Sequence, residues 1–351
     1  ALRLSNWRNG VSQLHGEVSR RMWQPVWPGR PAEEVPIGAI TNGVHVPSWV
    51  STRIGDVLTE HVAGDWPERH DEPELWDRLQ AIPNEVLWDT HRELKAKLLA
   101  FADQRIRANW RAGSMAASQV LASGALLDPE TLTIGFARRF ATYKRATLIF
   151  RDLRRLQTLL HSERQPVQII FAGKAHPADA GGKEFIQEVY KFAQDPGMGG
   201  RVAFLEDYDL HVAHFLVQGV DVWLNNPRRP NEASGTSGMK AAMNGVPNLS
   251  ALDGWWPEAY RPAQDGRPAN GWAFGDVQYG DWEAQDEADS QALYRLLEDQ
   301  IVPLFYDRDA RGVPHGWVEV MKEAMRTSLA AFSMRRMVKQ YVNDLYLPAM
   351  R

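Results

Sequence analysis

Thr131-Leu132-Thr133-Ile134-Gly135-Phe136-Ala137 runs straight into Arg138-Arg139-Phe140-Ala141-Thr142-Tyr143-Lys144-Arg145. The first seven residues read as a strand, and the next eight carry four cations. A charge run is ordinarily a solvated face. This one lies between a strand-like run and a helix-like run, where a βα turn of a parallel sheet directs its side chains into a ligand crevice.

The same texture continues downstream. A helix is expected from about Lys144, a strand over 167–172, a helix from about Gly182 and a strand over 202–205. A helix carrying His211 and His214 follows, then a strand over 220–224, a helix around Lys240 and a strand around 247–252. Strands alternating with helices predict an α/β fold with a Rossmann-like, doubly wound parallel sheet, whose ligands bind beyond the carboxyl ends of the strands. Two histidines without a third ligand favour helix packing over a metal site, and no metal is expected. Gly197-Met198-Gly199-Gly200 precedes a strand instead of following one, so it reads as a turn and not as a dinucleotide fingerprint.

A second motif follows the 220–224 strand: Glu232-Ala233-Ser234-Gly235-Thr236-Ser237-Gly238-Met239-Lys240. Gly235 and Gly238 allow close backbone approach and positive φ, three hydroxyls add donors, and the N–H groups of a helix start favour a phosphate. A nucleotide P-loop needs Gly-Lys-Ser/Thr in succession, whereas Met239 separates Gly238 from Lys240 and Ala241 follows, so that reading is rejected. Both motifs follow strand ends, and the fold would bring them together despite their distance in sequence.

These two stretches resemble the pyridoxal-phosphate lysine motif and the substrate-phosphate motif of the α-glucan (glycogen, starch and maltodextrin) phosphorylases. The resemblance extends, in the same order, to Thr41-Asn42-Gly43, Ala172-Gly173-Lys174-Ala175, Phe204-Leu205-Glu206-Asp207-Tyr208 and Phe332-Ser333 with Arg336 and Tyr341. It implies a two-domain GT-B type glycosyltransferase fold of which this chain is the C-terminal half. It also implies phosphorolysis of an α-1,4-glucan by inorganic phosphate to glucose 1-phosphate, with retention, and a homodimer in the full-length family.

Carried over residue by residue, the resemblance makes Lys240 the carrier of pyridoxal 5'-phosphate, with Thr236, Ser237 and Arg138 holding its phosphate and Tyr208 near its ring. Arg139 and Lys144 would bind the reacting phosphate. Tyr143, Glu232, Ser234 and Gly235 would grip glucose hydroxyls, as would Asn42 from the hinge; by residue type alone, Asn42-Gly43 is an ordinary turn. Arg138 stands where animal and plant enzymes usually have lysine, and Ser237-Gly238 where they have Gly-Asn, which resembles the prokaryotic branch. The cofactor's aldehyde chemistry is not used in this family; its phosphate works as proton partner of the substrate phosphate.

Elsewhere, Val11, Leu14, Val18 and Met22 predict an amphipathic helix over 11–23, with His15 and Glu17 assigned no catalytic role. Prolines 25, 28, 31 and 36 then break the chain. Residues 50–125 read as helices, one of them capped by Asn84, with Trp66, Trp76, Trp88 and Trp110 expected as core anchors in preference to sugar platforms. From Asp253-Gly254-Trp255-Trp256 to about Asp281 the chain reads as turns, either lining a cleft or packing. Segments 287–306 and 317–346 read as helices. The expected organisation is 1–42 as a remnant of a glucan-binding domain, 43–130 as a helical hinge and 131–351 as the cofactor domain with bracing helices.

At 351 residues, 44% hydrophobic and 24% charged, the composition is that of a globular enzyme. Forty Lys and Arg against 44 Asp and Glu give a formal net charge of −4, which argues against a general nucleic-acid or anionic-membrane surface. There is no cysteine and no long apolar run, so nothing demands an oxidising compartment, and a cytoplasmic location is the expectation. Two rivals stay open: a nucleotide-sugar glycosyltransferase of the same plan, and a cofactor-binding fragment that turns over poorly alone.

Overall fold

The computed structural model describes residues 2–111, 116–277 and 279–350. Its main sheet contains β3 (Leu132–Phe140), β4 (Val167–Ala175), β5 (Val202–Leu205), β6 (Val222–Asn225), β7 (Asn248–Ala251) and β8 (Gly271–Phe274). A separate pair joins β1 (Asn9–Gly10) to β2 (Gly38–Ala39). The main sheet has the order β5-β4-β3-β6-β7-β8 with every pair parallel. The domain therefore begins in mid-sheet, builds outward through β4 and β5, returns to lay β6 against β3, and builds outward again. This is the expected doubly wound order, and its reversal between β3 and β6 opens a crevice beyond their carboxyl ends.

β3 is longer than the sequence suggests. Its register with β4 runs from Leu132↔Val167 to Phe140↔Ala175, so Arg138 and Arg139 belong to the strand and not to the turn. The close approach depends on Gly173, where an added Cβ would lie 2.1 Å from the Arg138 carbonyl oxygen. The helix expected from Lys144 starts only at Leu153–Leu160. Two 3₁₀ turns, Thr142–Lys144 and Leu148–Phe150, come first, and Arg145 ends the first of them in the left-handed region at φ 47°.

β8 lies inside the stretch read as turns. Four residues are too few for a clear period-two signal, and this strand is recognised by its packing, with Trp272 5.5 Å from Trp317 ring to ring. The segment read as one helix over 317–346 is broken: His315–Leu329 ends, and Ser333 caps a new helix, Met334–Tyr341, by accepting from the Arg336 N–H. At that break Val44 N–H donates to Phe332 C=O and Met334 N–H to Val44 C=O, tying the end of the chain to its early segment.

Asn84 begins the Asn84–Arg111 helix but does not cap it with its side chain, which instead pairs with His315 Nδ1 and Lys322 Nζ. Trp66, Trp76 and Trp88 are buried core anchors; the side chain of Trp110 lies outside the described residues. In Gln13–Trp23 the buried positions are Gly16 and Ser19, against β2, while Met22 of the expected apolar face is exposed. The hydrophobic core has two clusters: one runs from Val44 through the early helices and the sheet to Phe332, and the other packs Leu98, Val212 and Leu216 against Ile170 and Trp223. No described helix is long and apolar enough to cross a membrane.

Candidate functional site

The reversal point supplies two strand ends, and each carries half of the site. Arg138 comes from the end of β3 and Lys144 from the 3₁₀ turn after it; Glu232 comes from the loop after β6. Glu232 Oε2 accepts from Arg138 Nη2 at 3.1 Å and from Lys144 Nζ at 2.6 Å, with all three side chains at most 10% exposed. Two cations on one carboxylate leave the cluster one positive charge in excess, in a place where water screens it poorly. Burial, together with the neighbouring Arg138, pushes the Lys144 ammonium down to about 8 in spite of Glu232. Arg138 Nη1 and Ser234 Oγ are buried with no hydrogen-bond partner among the described residues. A buried guanidinium N–H without a protein partner, beside surplus positive charge, is able to bind an anion.

The other expected residues divide. Tyr143 and Tyr208 are half-buried, burial raises both hydroxyls, and Arg138 pulls both back, so the rings flank the same guanidinium. Arg139 is exposed and acts on Tyr143. Gly235, at φ 86°, starts the Thr236–Ala242 helix, so Thr236 and Ser237 occupy its first turn. Ser237 Oγ accepts from Trp223 Nε1 at 3.3 Å. Asn42 stands apart: its N–H donates to Val11 C=O and its own C=O accepts from Arg336 Nη2, and neither bond reaches the Arg138–Glu232 cluster.

Lys240 lies one turn along the helix from Thr236. Its Nζ sits 3.6 Å from the centroid of the Trp49 ring, and burial lowers its pKa. Among the described residues it has no ion-pair partner. The other face of Trp49 stacks on His214 at 4.3 Å and 6°, so Trp49 is a lid between a histidine and the lysine. Sequence reading missed Trp49, because nothing in its local pattern marks the residue it covers. His211 packs edge-on against Phe101 and Phe215, and no metal-binding group was found among the described residues.

Arg145, the fourth cation of the motif, is not available to a ligand. Its buried guanidinium donates to the carbonyls of Asn226 and Pro227, both at 2.8 Å, and pairs with Asp286 and Asp289. Arg228 N–H also donates to Tyr143 C=O at 2.7 Å, so the two strand-end loops are fastened to each other. On the far side, Ser12 Oγ donates to Ala233 C=O at 2.8 Å, while Thr41 Oγ1 donates to Glu258. Residues near the start of the chain thus touch the glycine-rich loop directly.

Comparison with known proteins places the sequence. The sequence model of the carbohydrate phosphorylases matches residues 1–260. Over 99% of its length the chain is 47% identical to a glycogen phosphorylase of Aquifex aeolicus, of which it covers 48%. It is 42% identical over its whole length to a maltodextrin phosphorylase of Thermococcus litoralis, covering 40% of that protein. Against a glycogen phosphorylase of Mycobacterium tuberculosis the identity is 45% over 99% of the chain and 39% of the relative. The chain thus spans at most about half the length of these curated relatives. Three-quarters of the chain fits the family model and nearly all of it aligns with these relatives, so the chain belongs to the carbohydrate phosphorylase family.

Proposed function

We propose that the chain is the cofactor- and phosphate-binding half of an α-1,4-glucan phosphorylase with a GT-B type plan, acting on glycogen or maltodextrin in the cytoplasm. In this reading residues 1–42 belong with the glucan-binding domain, 43–130 form the hinge and 131–351 the cofactor domain. The observation that carries it is Lys240: a desolvated amine that has no acidic partner among the described residues, following a loop whose neighbouring cations include a guanidinium N–H left unpaired among them. A free amine and a separate anion cradle are the two things pyridoxal 5'-phosphate requires, and the residues present fit it.

Lys240 would hold the cofactor, with Arg138, Thr236 and Ser237 around its phosphate and Tyr208 beside its ring. When bound, the cofactor supplies a phosphate group that exchanges a proton with the reacting phosphate. Arg139 and Lys144 would grip that reacting phosphate, the guanidinium as a fork and the ammonium as a point charge. An oxygen of inorganic phosphate bonds to the anomeric carbon as the glycosidic C–O bond breaks, and the leaving glucan oxygen takes up the proton that this phosphate carried. Cations placed beforehand stabilise the charge that moves in this step. Glu232, Tyr143, Ser234, Gly235 and Asn42 would orient the glucose unit.

The test is incubation with pyridoxal 5'-phosphate, borohydride reduction and peptide mapping, followed by a phosphorolysis assay for glucose 1-phosphate with maltodextrin. Label on Lys240 supports the reading. A folded chain that takes no label there but binds ADP- or UDP-glucose is a nucleotide-sugar glycosyltransferase instead.

A further inference from the structure

The Glu232 carboxylate can serve the cation pair only if the loop that bears it is fixed, and one side chain outside the motif does the fixing. Asp253, fully buried two residues beyond β7, accepts the Glu232 N–H on Oδ2 at 2.8 Å and the Gly254 N–H on Oδ1 at 2.8 Å. The next two residues hold the same loop: Trp255 N–H donates to Ser234 C=O at 2.8 Å. Gly254, at φ 58°, comes so close that a Cβ there would lie 2.4 Å from that carbonyl oxygen and 2.9 Å from Glu232 Cγ. Any side chain at residue 254 would push Glu232 off its cations. Asp253-Gly254-Trp255 is therefore a template for the Glu232–Ser234 backbone, and Asp253 is its only ionisable member.

We infer that Asp253 is a positioning residue: by holding the Glu232 N–H it sets the Glu232 carboxylate between Arg138 and Lys144, and so governs how tightly that cation pair takes an incoming tetrahedral anion. The inference deepens the phosphorylase reading of the site and rests on it for the identity of that anion. As a carboxylate, Asp253 accepts both N–H groups and keeps Glu232 on the cations, in competition with the anion. Protonated, it offers one good acceptor fewer; Glu232 is released and the cations are free for the anion. The charged groups acting on Asp253 are Glu232, which opposes its ionisation, and Arg229, which favours it; burial is the largest influence and lifts it to about 6. The change falls within an accessible pH range.

Sulfate is the probe, because its charge is constant over that range. Sulfate affinity of the full chain is measured by calorimetry between about pH 5 and about pH 7.5 for the wild type, Asp253→Asn and Glu232→Gln. The wild type should bind sulfate roughly tenfold more tightly at the acid end, the equivalent of about one pKa unit of coupling. Asp253→Asn cannot ionise and should be flat with pH to within about twofold. Glu232→Gln leaves Asp253 in place but removes the group through which it acts; made in a Lys144→Met background, so that loss of Glu232 does not bring the Lys144 ammonium into the window, it should be equally flat, and it decides the matter alone if Asp253→Asn does not fold. The inference is overturned if either folded variant keeps the wild-type rise, or if the wild type is flat. Borohydride labelling of Lys240 is run in parallel: a labelled wild type with flat sulfate binding sinks the Asp253 inference and leaves the phosphorylase reading standing. An unlabelled one with the expected pH response does the reverse.

Discussion

Two buried charge clusters occupy opposite ends of the same strand pair, and they are built for different ends. At the amino ends of β3 and β6, Asp221 is fully buried. It faces His91 Nε2 at 2.8 Å, Lys95 Nζ at 2.6 Å and the Thr133 N–H at 2.7 Å. Lys95 spends a further bond on Thr131 C=O. Burial pushes the Asp221 carboxyl up, but Lys95 and His91 outweigh it and hold the group below its usual range. At the carboxyl ends, Glu232 faces two cations that it cannot fully satisfy, and Arg138 Nη1 is left over. The Asp221 carboxylate, matched in charge by Lys95, fastens the Asn84–Arg111 helix to the sheet, although His91 Nδ1 beside it is buried without a partner among the described residues; the Glu232 cluster carries a surplus cation, which in the proposed reading takes an anion.

The largest expected effect falls on the Asp221 cluster. Asp221→Ala strands a buried lysine and should cost about 3–5 kcal/mol in urea denaturation, with no recovery on adding sulfate or phosphate. Glu232→Ala should cost about 1–3 kcal/mol, because it also strands buried cations, but saturating sulfate should return most of the loss by binding only the folded state. If both variants respond to anions alike, or neither does, the distinction between the two clusters collapses.

Lys240→Met should abolish borohydride-dependent labelling while changing stability by only about 1–2 kcal/mol, the worth of its contact with Trp49. A large loss of stability would make Lys240 a structural residue. The smallest effect concerns pH. The folded pKa of Lys144 is depressed to about 8 from 10.5, so between these values the unfolded chain binds more protons. The stability contributed by this group is present above the unfolded pKa and lost as pH falls through about 8. Wild-type stability should therefore rise with pH across that window relative to Lys144→Met, and parallel curves would remove Lys144 from the cluster's electrostatics.

The alternation of strands and helices from Thr131 onward was legible because periodicity is local, and so were the two strand-end motifs. Residues that act through distant partners were not. Trp49 lies far in sequence from the lysine it covers, Asp253 looks like the start of an ordinary Asp-Gly turn, and Arg145 was indistinguishable from its three cationic neighbours until its left-handed backbone turned it away from the crevice. β8 and the break at Ser333 were hidden for the same reason: each is stabilised by contacts with remote segments, not by a local pattern.

The guanidinium of Arg145 has a kinetic consequence. It donates to the 226–227 carbonyls and pairs with two aspartates on the Trp282–Leu296 helix, while its own backbone lies on the loop after β3. None of these three segments can open without releasing the other two, so their amide protons should exchange with solvent at one common rate, as a single foldon. The Arg228 amide, bonded to Tyr143 across the crevice, is the natural reporter of that shared opening.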